Sequence, residues 1–335
     1  MAADRVAIFG AGSVGCFIGG CWQAAGIPVT FIGRPRLAGE IAEHGLTLSD
    51  FSGWNEHLRQ VDYGSDPGAL GQADIIALTV KSGATANAAR EIAAHGREGA
   101  TVISFQNGIS NVEVLEREVG DRFAVLRGMV PYNVAHLGEG RFHKGVAGHL
   151  YAEDAAATRA LAERIGAGPA ALELSNDMLG IAWGKLLINL NNAVNALSGR
   201  PLLAQLRERD YRRVVAASQR EGLRLLKRAG IRPAKVGAVA PNLLPLVIGS
   251  PDWLFRGIFL KSWKIDEKAR SSMADDLSAG RRTEVDYING ELVALAESLG
   301  TDAPVNRRIV ELIRKAEDGA SPLDPPSLRR EVLGH

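Results

Sequence analysis

The chain has 335 residues, 46% of them hydrophobic and 23% charged, and its formal net charge is +1. This length allows two domains whose cores need neither disulfides nor metal, and we predict no metal site. The near-neutral charge gives no electrostatic reason to expect nucleic acid or a membrane surface as a partner. No basic apolar leader or membrane-spanning run is recognised. Because Cys16 and Cys21 lie five positions apart in a predicted helix, we expect no disulfide and a cytoplasmic location.

Short β-branched runs alternate with helical stretches in the first half, which predicts a parallel sheet covered on both faces. The predicted strands are residues 5–9, 29–32, 75–80 and 101–105, with extended segments near 124–130 and 147–151. The predicted helices are residues 13–25, 36–43, 84–94, 112–119 and 155–165.

The second half predicts helices almost throughout. They are residues 177–197, 203–229, 268–278, 283–299 and 303–317. The sequence pattern changes near residues 170–175, from alternating strands and helices to helices almost alone. The expected domains are therefore 1–172 and 173–320, with a Pro-rich tail at 321–335. The apolar stretch 244–263 can line a pocket, pack as core or form an interface.

Three glycines follow the first strand in the pattern G-x-G-x-x-G. Gly10 allows a tight turn, Gly12 admits a pyrophosphate to the backbone, and Gly15 lets helix and strand pack closely. At the start of a βαβ unit, this pattern predicts a dinucleotide-binding, Rossmann-type sheet; a simple tight turn is the alternative. The predicted contact residues are Gly10, Ala11, Gly12, Ser13, Val14 and Gly15.

The second strand ends on arginines rather than on a carboxylate. NAD-binding sheets usually place Asp or Glu there to hold the ribose 2′-hydroxyl, whereas Arg34 and Arg36 occupy this end and the first acid is Glu40. Since guanidinium groups pair with phosphate, we predict NADP(H) with Arg34 as the main contact. A solvated loop arginine is the alternative.

Two further strands end on polar residues at the same edge of the sheet, where ligands bind in open α/β sheets. Lys81 follows one strand and Asn107 follows the next. Both can reach a bound cofactor; alternatively, Lys81 belongs to a surface loop and Asn107 to a turn before Gly108.

The stretch WGKLLINLNNAVNALSG carries polar residues in an otherwise apolar helix. On a helix, Asn189 lies about 40° from Lys185 and Asn192 about 20° away on the other side, so the three share one stripe. Asn195 lies about 80° off and need not belong. Hydrogen bonding between helices, or a snorkelling lysine, explains the stripe equally well.

Downstream, the stretch SSMADDLSAGRRTEVDYINGE contains Ser272 and Glu284. Thr283 can cap a helix whose first turn holds Glu284, which favours the helix dipole in any protein. Taken singly, Glu284 is therefore predicted to be structural.

Together these stretches resemble the ketopantoate reductase (2-dehydropantoate 2-reductase) family over nearly the whole chain. The matching pieces, in order, are GAGSVG, Arg34, TVKS, FQNG, WGKLLIN and SSM…D…GRRTEVDYINGE. The resemblance implies a Rossmann-type doubly wound sheet followed by an all-helical domain, and NADPH-dependent reduction of a 2-oxo acid in pantothenate biosynthesis.

The resemblance also implies roles for individual residues. It makes Lys185 the catalytic lysine and general acid, and Glu284 the active-site glutamate, which also contacts the cofactor. The implied substrate-binding residues are Asn107, Asn189 and Ser272, and the implied cofactor contacts beyond the glycine turn are Arg34, Lys81 and Asn107.

One position departs from the family pattern. Members commonly carry a second substrate asparagine eight residues after the lysine, where this chain has Ala193. Asn192 stays on the lysine's face and can replace it, but the specific 2-oxo acid is left open. A reductase of another branched or hydroxylated 2-oxo acid, or a non-catalytic NADP(H) sensor, are the alternatives. The sequence does not fix the oligomeric state, and a homodimer is one option.

Overall fold

A computed structural model describes residues 5–262, 265–267 and 269–334. The chain divides into two compact units, of which the first ends at Met178 and the second begins at Leu179. The first unit combines sheets with helices and the second is helical, which confirms the predicted fold class. Within the described part of the chain, no helix has the length and apolar character that a membrane span requires.

The first unit contains twelve strands and five α-helices among its described residues. The strands are β1 (Val6–Phe9), β2 (Val29–Ile32), β3 (Leu46–Asp50), β4 (Asn55–Leu58), β5 (Asp62–Gly64), β6 (Ile75–Leu78), β7 (Thr101–Ser104), β8 (Ala124–Met129), β9 (Val134–Gly138), β10 (Arg141–Lys144), β11 (Leu150–Glu153) and β12 (Leu172–Ser175). The helices are α1 (Ser13–Ala24), α2 (Pro35–His44), α3 (Thr85–His95), α4 (Asn111–Val119) and α5 (Ala156–Ile165).

Eight strands form one large sheet in the order β12-β11-β8-β7-β6-β1-β2-β5. From β5 to β8 every neighbouring pair is parallel. Counted along the chain within this parallel part, the order is 3-2-1-4-5-6, the strand order of a Rossmann sheet. At the far edge, β11 runs antiparallel to β8 and β12 runs parallel to β11.

Both faces of the large sheet are buried. Along β1, the side chains of Val6 and Ile8 join one core, while Ala7 joins the other. Residues of α1 belong to the first core and residues of α3 and α4 to the second. All residues of β6 and β7 are buried, as expected for central parallel strands, which read as continuous apolar runs.

A second, four-stranded sheet of order β4-β3-β10-β9 was not predicted. Strand β3 alternates buried and half-buried residues, and β4 alternates exposed and half-buried ones, so neither shows a strong apolar run. Strands β3 and β4 pair with each other, as β9 and β10 do, and β10 joins the two pairs by pairing with β3 across about ninety residues of chain. Helix α1 contacts this sheet as well as the large one.

The second unit contains helices and connecting loops, and no strand, among its described residues. Its α-helices are α6 (Met178–Ser198), α7 (Leu202–Arg207), α8 (Arg209–Arg228), α9 (Leu244–Ile248), α10 (Asp252–Leu254), α11 (Leu260–Ser262), α12 (Ser272–Ser278), α13 (Asn289–Ser298), α14 (Pro304–Glu317) and α15 (Pro325–Leu333). Only α6 begins in the first unit, at Met178.

Two long predicted helices are interrupted. The helix predicted at 203–229 is α7 and α8, because Glu208 is extended, with φ −91° and ψ 117°. The helix predicted at 283–299 is a 3₁₀ turn at Val285–Tyr287 followed by α13, because Ile288 leaves the helical region. The start predicted at Lys268 lies outside the described residues, and α12 begins at Ser272.

The expected boundary after residue 172 differs from the observed division. It cuts through β12, whose four residues pair with β11 in the large sheet. The expected tail contains a helix, α15, in which Leu328 is fully buried. Asp324 caps this helix by accepting a hydrogen bond from Ser327 N at 3.0 Å. Helix α15 packs on α8 and α14 and belongs to the second unit.

A fully buried arginine holds part of the apolar stretch that the sequence left unassigned. Arg212 Nη1 donates to the carbonyl oxygens of Ile248 and Ser250 at 2.9 and 2.8 Å, and the guanidinium lies 4.2 Å from the ring centroid of Phe255. Phe255 is buried, whereas Trp253 is 76% exposed. The stretch therefore combines core and surface residues as far as Ser262; Trp263 lies outside the described residues.

Candidate active site

The glycine turn joins β1 to α1 in the first unit. The backbone N–H groups of Gly10 and Ala11 both donate to the carbonyl oxygen of Ile32 at 2.9 Å, which ties the turn to the end of β2. Gly10 has φ +89°, a conformation that favours glycine. Helix α1 has no acidic residue in its first turn, so its N-terminal N–H groups can face an anion.

Two glycines of this turn are required for different reasons. A Cβ at Gly15 would lie 2.5 Å from Thr79 Oγ1 and 2.9 Å from Ile8 Cγ2, so close helix–strand packing excludes any side chain. A Cβ at Gly12 would meet only the Gly10 carbonyl oxygen, at 3.8 Å. Packing therefore does not explain Gly12, whereas the approach of a pyrophosphate does.

Arg34 lies beside the glycine turn. Tyr63 Oη donates to the carbonyl oxygen of Ala11 at 2.6 Å. Burial raises the pKa of Tyr63, and the nearby charge of Arg34 partly offsets this rise. The Arg34 side chain is exposed and forms no ion pair with any residue that the structure describes. Its guanidinium is thus available to an anionic ligand at this turn.

The first acid after β2 has a structural role. Glu40 Oε1 accepts hydrogen bonds from His136 Nε2 at 2.6 Å and from the backbone N–H of Gly140 at 2.8 Å, which attaches α2 to the small sheet. Arg36 lies 3.6 Å from the other carboxylate oxygen. Glu40 is therefore already engaged and does not supply a carboxylate for a ribose.

A buried polar network connects the loops after β6 and β7. Ser82 Oγ donates to the carbonyl oxygen of Asn107 at 2.9 Å, and Thr85 Oγ1 lies 2.6 Å from Asn111 Oδ1. Gln106 Nε2 donates to Thr85 Oγ1 at 2.7 Å. These residues were not predicted, although the polar runs KSGAT and FQNGISN were the available signal.

This network places Lys81 and Asn107 at the same edge of the large sheet. Lys81 is exposed at the start of the 3₁₀ turn 82–84, and Asn107 is half-buried. The two predicted residues are thus in adjacent loops held by side-chain hydrogen bonds. The glycine turn and Arg34 belong to the same unit, at the ends of β1 and β2.

The predicted polar stripe lies on α6 in the second unit. Lys185, Asn189 and Asn192 are all half-buried, while Leu186 and Leu190 are buried. The stripe therefore follows the boundary between core and surface along two turns of the helix. This arrangement keeps one polar edge accessible on an otherwise apolar helix.

Lys185 and Glu284 interact electrostatically. Burial lowers the pKa of Lys185 to about 8, and the negative charge of Glu284 opposes this decrease. Glu284 is buried and precedes the 3₁₀ turn, so it is not in the first turn of a long helix. Thr283 Oγ1 accepts from Val285 N at 3.3 Å, and the N-cap position of α13 is Ile288, so Thr283 does not cap that helix. The expectation that Glu284 serves a helix dipole is wrong.

Three predicted substrate-binding side chains make no hydrogen bond with the described residues. These are the amides of Asn189 and Asn192 and the hydroxyl of Ser272, all half-buried. Their donors and acceptors are available to a polar ligand. By contrast, the amide of Asn195 is buried and forms hydrogen bonds through both its oxygen and its nitrogen.

Ala193 is fully buried, so the departure from the family pattern lies in the core of α6. Asn192 stays on the accessible edge, as the sequence predicted. The structure thus places the predicted residues in two groups, one at the sheet edge of the first unit and one on α6, Ser272 and Glu284 of the second.

The strand order, the glycine turn and the helical second unit define the class of Rossmann-type NAD(P)-dependent oxidoreductases. Two family models match the chain: ketopantoate reductase PanE/ApbA at residues 6–156 and ketopantoate reductase PanE/ApbA C terminal at residues 177–317. The chain belongs to the ketopantoate reductase PanE/ApbA family.

Individual relatives agree with this assignment. A 2-dehydropantoate 2-reductase of Archaeoglobus fulgidus is 30% identical over 95% of this chain and 100% of its own length. The structure of a PanE/ApbA family ketopantoate reductase from Ralstonia eutropha JMP134 has a TM-score of 0.79 and 30% identity, and the match covers 94% of this chain and 98% of that one. The fold is shared by a D-mandelate dehydrogenase in complex with NADH and anilino(oxo)acetate, at 19% identity and a TM-score of 0.76 over 94% and 98% of the two chains.

Proposed function

We propose that the protein reduces a 2-oxo acid to a 2-hydroxy acid with NADPH, and that 2-dehydropantoate is the substrate and pantoate the product, within pantothenate biosynthesis. The observation that carries this proposal is the half-buried Lys185, with its lowered pKa and its interaction with Glu284, on a helix edge where the amides of Asn189 and Asn192 have no hydrogen-bond partner among the described residues. The names of the relatives support the choice of substrate.

The edge of the first unit would hold the cofactor through the glycine turn, Arg34, Lys81 and Asn107. NADPH, when bound, supplies the hydride that reduction of a ketone requires. Arg34 distinguishes NADPH from NADH because its guanidinium pairs with a 2′-phosphate, and because Glu40 is engaged elsewhere.

Lys185 acts on the carbonyl oxygen of the substrate. Its ammonium stabilises the negative charge that develops there and donates the proton that completes the hydroxyl group. A pKa of about 8 leaves the group mostly protonated at neutral pH and makes it a stronger acid than an exposed lysine. Glu284 keeps the ammonium charged.

The remaining polar groups orient the substrate. Asn189, Asn192 and Ser272 offer amide and hydroxyl groups without partners in the described chain, suited to the carboxylate and hydroxyl of 2-dehydropantoate. A different 2-oxo acid is the second candidate, because the second substrate amide of the family pattern is replaced by Ala193, and Asn192 offers its amide one residue earlier.

The test is a panel of 2-oxo acids assayed with NADPH for the wild type, Lys185→Ala and Lys227→Ala. We expect the highest kcat/KM with 2-dehydropantoate. Lys185→Ala should lose about 10²–10⁴-fold in kcat, the usual contribution of a general acid, and retain NADPH binding. Lys227, an exposed lysine of α8, is the matched control and should tolerate substitution. Faster turnover of another 2-oxo acid would replace the substrate, and full activity of Lys185→Ala would refute the mechanism.

A further inference from the structure

We infer that Asn195 and Ser271 are positioning residues that hold Ser272 against α6 for substrate recognition. This inference rests on the proposed function, which assigns Ser272 to the substrate. Neither residue touches the substrate in this proposal; both act through Ser272.

Ser271 is the N-cap of α12 and is buried. Its Oγ accepts a hydrogen bond from Ala274 N at 3.2 Å and donates one to the carbonyl oxygen of Asn192 at 3.0 Å. One hydroxyl thus starts α12 and attaches it to α6. Ser272 is the next residue, so its place relative to the polar stripe is set by this attachment.

Asn195 provides the second attachment. Its Oδ1 accepts from the backbone N–H of Ser271 at 2.9 Å, and its Nδ2 donates to the carbonyl oxygen of Arg200 at 3.0 Å. The side chain is fully buried, so no solvent can replace either bond. Without Asn195, the N–H of Ser271 would lose its acceptor, and the start of α12 would shift to find another.

A backbone hydrogen bond between Leu202 and Ala269 also holds the residues just before α12. Leu202 N donates to the carbonyl oxygen of Ala269 at 2.7 Å, two residues before Ser271. The chain segment leading to Ser272 is therefore held on the end of α6 and the residues that follow it. A displacement of about 1 Å in such a positioning group can cost about 10²-fold in catalysis.

The test is a double-mutant cycle with Asn195→Ala and Ser272→Ala, with kcat and KM measured for 2-dehydropantoate. We expect each single variant to raise KM about tenfold. Because Asn195 acts through Ser272, the double variant should match Ser272→Ala within about twofold rather than multiply the two effects. The Kd for NADPH and the pH dependence set by Lys185 should stay unchanged.

Ser271 supplies a second route if Asn195→Ala does not fold. Ser271→Ala should raise KM, and its combination with Ser272→Ala should match Ser272→Ala alone. Ser271→Thr keeps the hydroxyl and should retain a KM within about threefold of the wild type. Multiplicative effects in the cycle would mean that Asn195 only stabilises the fold and would overturn the inference. An unchanged KM in Ser272→Ala would instead contradict the substrate role on which the proposed function relies, and the inference would fall with it.

Discussion

At the scale of single residues, the environment of Lys185 gives its amine a lower pKa than that of an exposed surface lysine. Burial favours the neutral amine and Glu284 favours the ammonium, so the residue titrates near the pH at which the enzyme would work. A general acid with such a pKa transfers its proton more readily than an exposed lysine, yet remains charged for most of the time.

This balance predicts a pH profile. The ammonium is the active form, so kcat/KM should be constant below pH about 8 and fall as the pH rises through that value. Since the charge of Glu284 raises the pKa of Lys185, Glu284→Gln should move the falling limb to lower pH. Initial rates from pH 5 to 10 measure both.

Glu297→Gln is the matched control, because Glu297 is an exposed carboxylate of α13 paired with Arg307. Its profile should coincide with that of the wild type. A falling limb near pH 10 in the wild type, or an identical limb in Glu284→Gln, would contradict the assignment of Lys185 and Glu284.

At the scale of elements, we expect two glycines of the glycine turn to have different roles, Gly15 in stability and Gly12 in cofactor binding. Gly15→Ala places a methyl group against Thr79 and Ile8 and should destabilise the protein by about 1–3 kcal/mol, as overpacking does. Gly12→Ala meets no crowded atom, and its backbone, with φ −95°, suits alanine. This variant should keep its stability and bind NADPH at least about tenfold more weakly.

Urea unfolding and fluorescence titration with NADPH distinguish the two variants. Equal losses of stability would show that Gly12 is a packing residue. Unchanged NADPH affinity in Gly12→Ala would remove the glycine turn from the binding site.

The same scale shows what the sequence could predict. Strands β1, β2 and β7 were found to within one residue at either end, because buried β-branched runs end at glycine or polar residues. The small sheet was missed because its alternation is weak and because the pairing of β10 with β3, which joins its two halves, is long-range. The break between α7 and α8 at Glu208 could not be predicted, because no Gly or Pro lies there. Packing determines where these helices end and begin.

The candidate site also contains residues that the sequence could predict and contacts that it could not. Lys185, Asn189 and Asn192 follow from helical spacing, and their shared half-buried edge agrees with that prediction. The partners of Asn195 could not be predicted, because Ser271 lies 76 residues away and only the tertiary fold brings them together. Local spacing identified the stripe, and long-range packing determined which amide is structural.

At the scale of the whole molecule, the proposed cofactor preference should be visible in stability. A ligand that binds only the folded state raises the free energy of unfolding, by about 2.7 kcal/mol at a hundredfold excess over its Kd. NADPH should therefore raise Tm more than NADH at equal concentration. In Arg34→Ala this difference should disappear, because the 2′-phosphate loses its guanidinium.

Arg36→Ala is the matched control for that measurement. Arg36 is an exposed arginine two residues away that lies 3.6 Å from Glu40, so its loss should leave most of the preference for NADPH. Equal Tm shifts with both cofactors in the wild type would refute the preference. A preference that persists in Arg34→Ala would assign it to another residue.

The hydrogen bonds between the loops after β6 and β7 have a consequence for how such an enzyme can diversify. They run through Ser82, Gln106 and Asn111, and the main-chain oxygen of Asn107 accepts hydrogen bonds from Ser82 Oγ and Asn111 Nδ2. Any residue at 107 offers that oxygen, and the Lys81 side chain is exposed. A substitution at position 107 can therefore change the side chain that a ligand would meet, while these two main-chain hydrogen bonds between the loops remain.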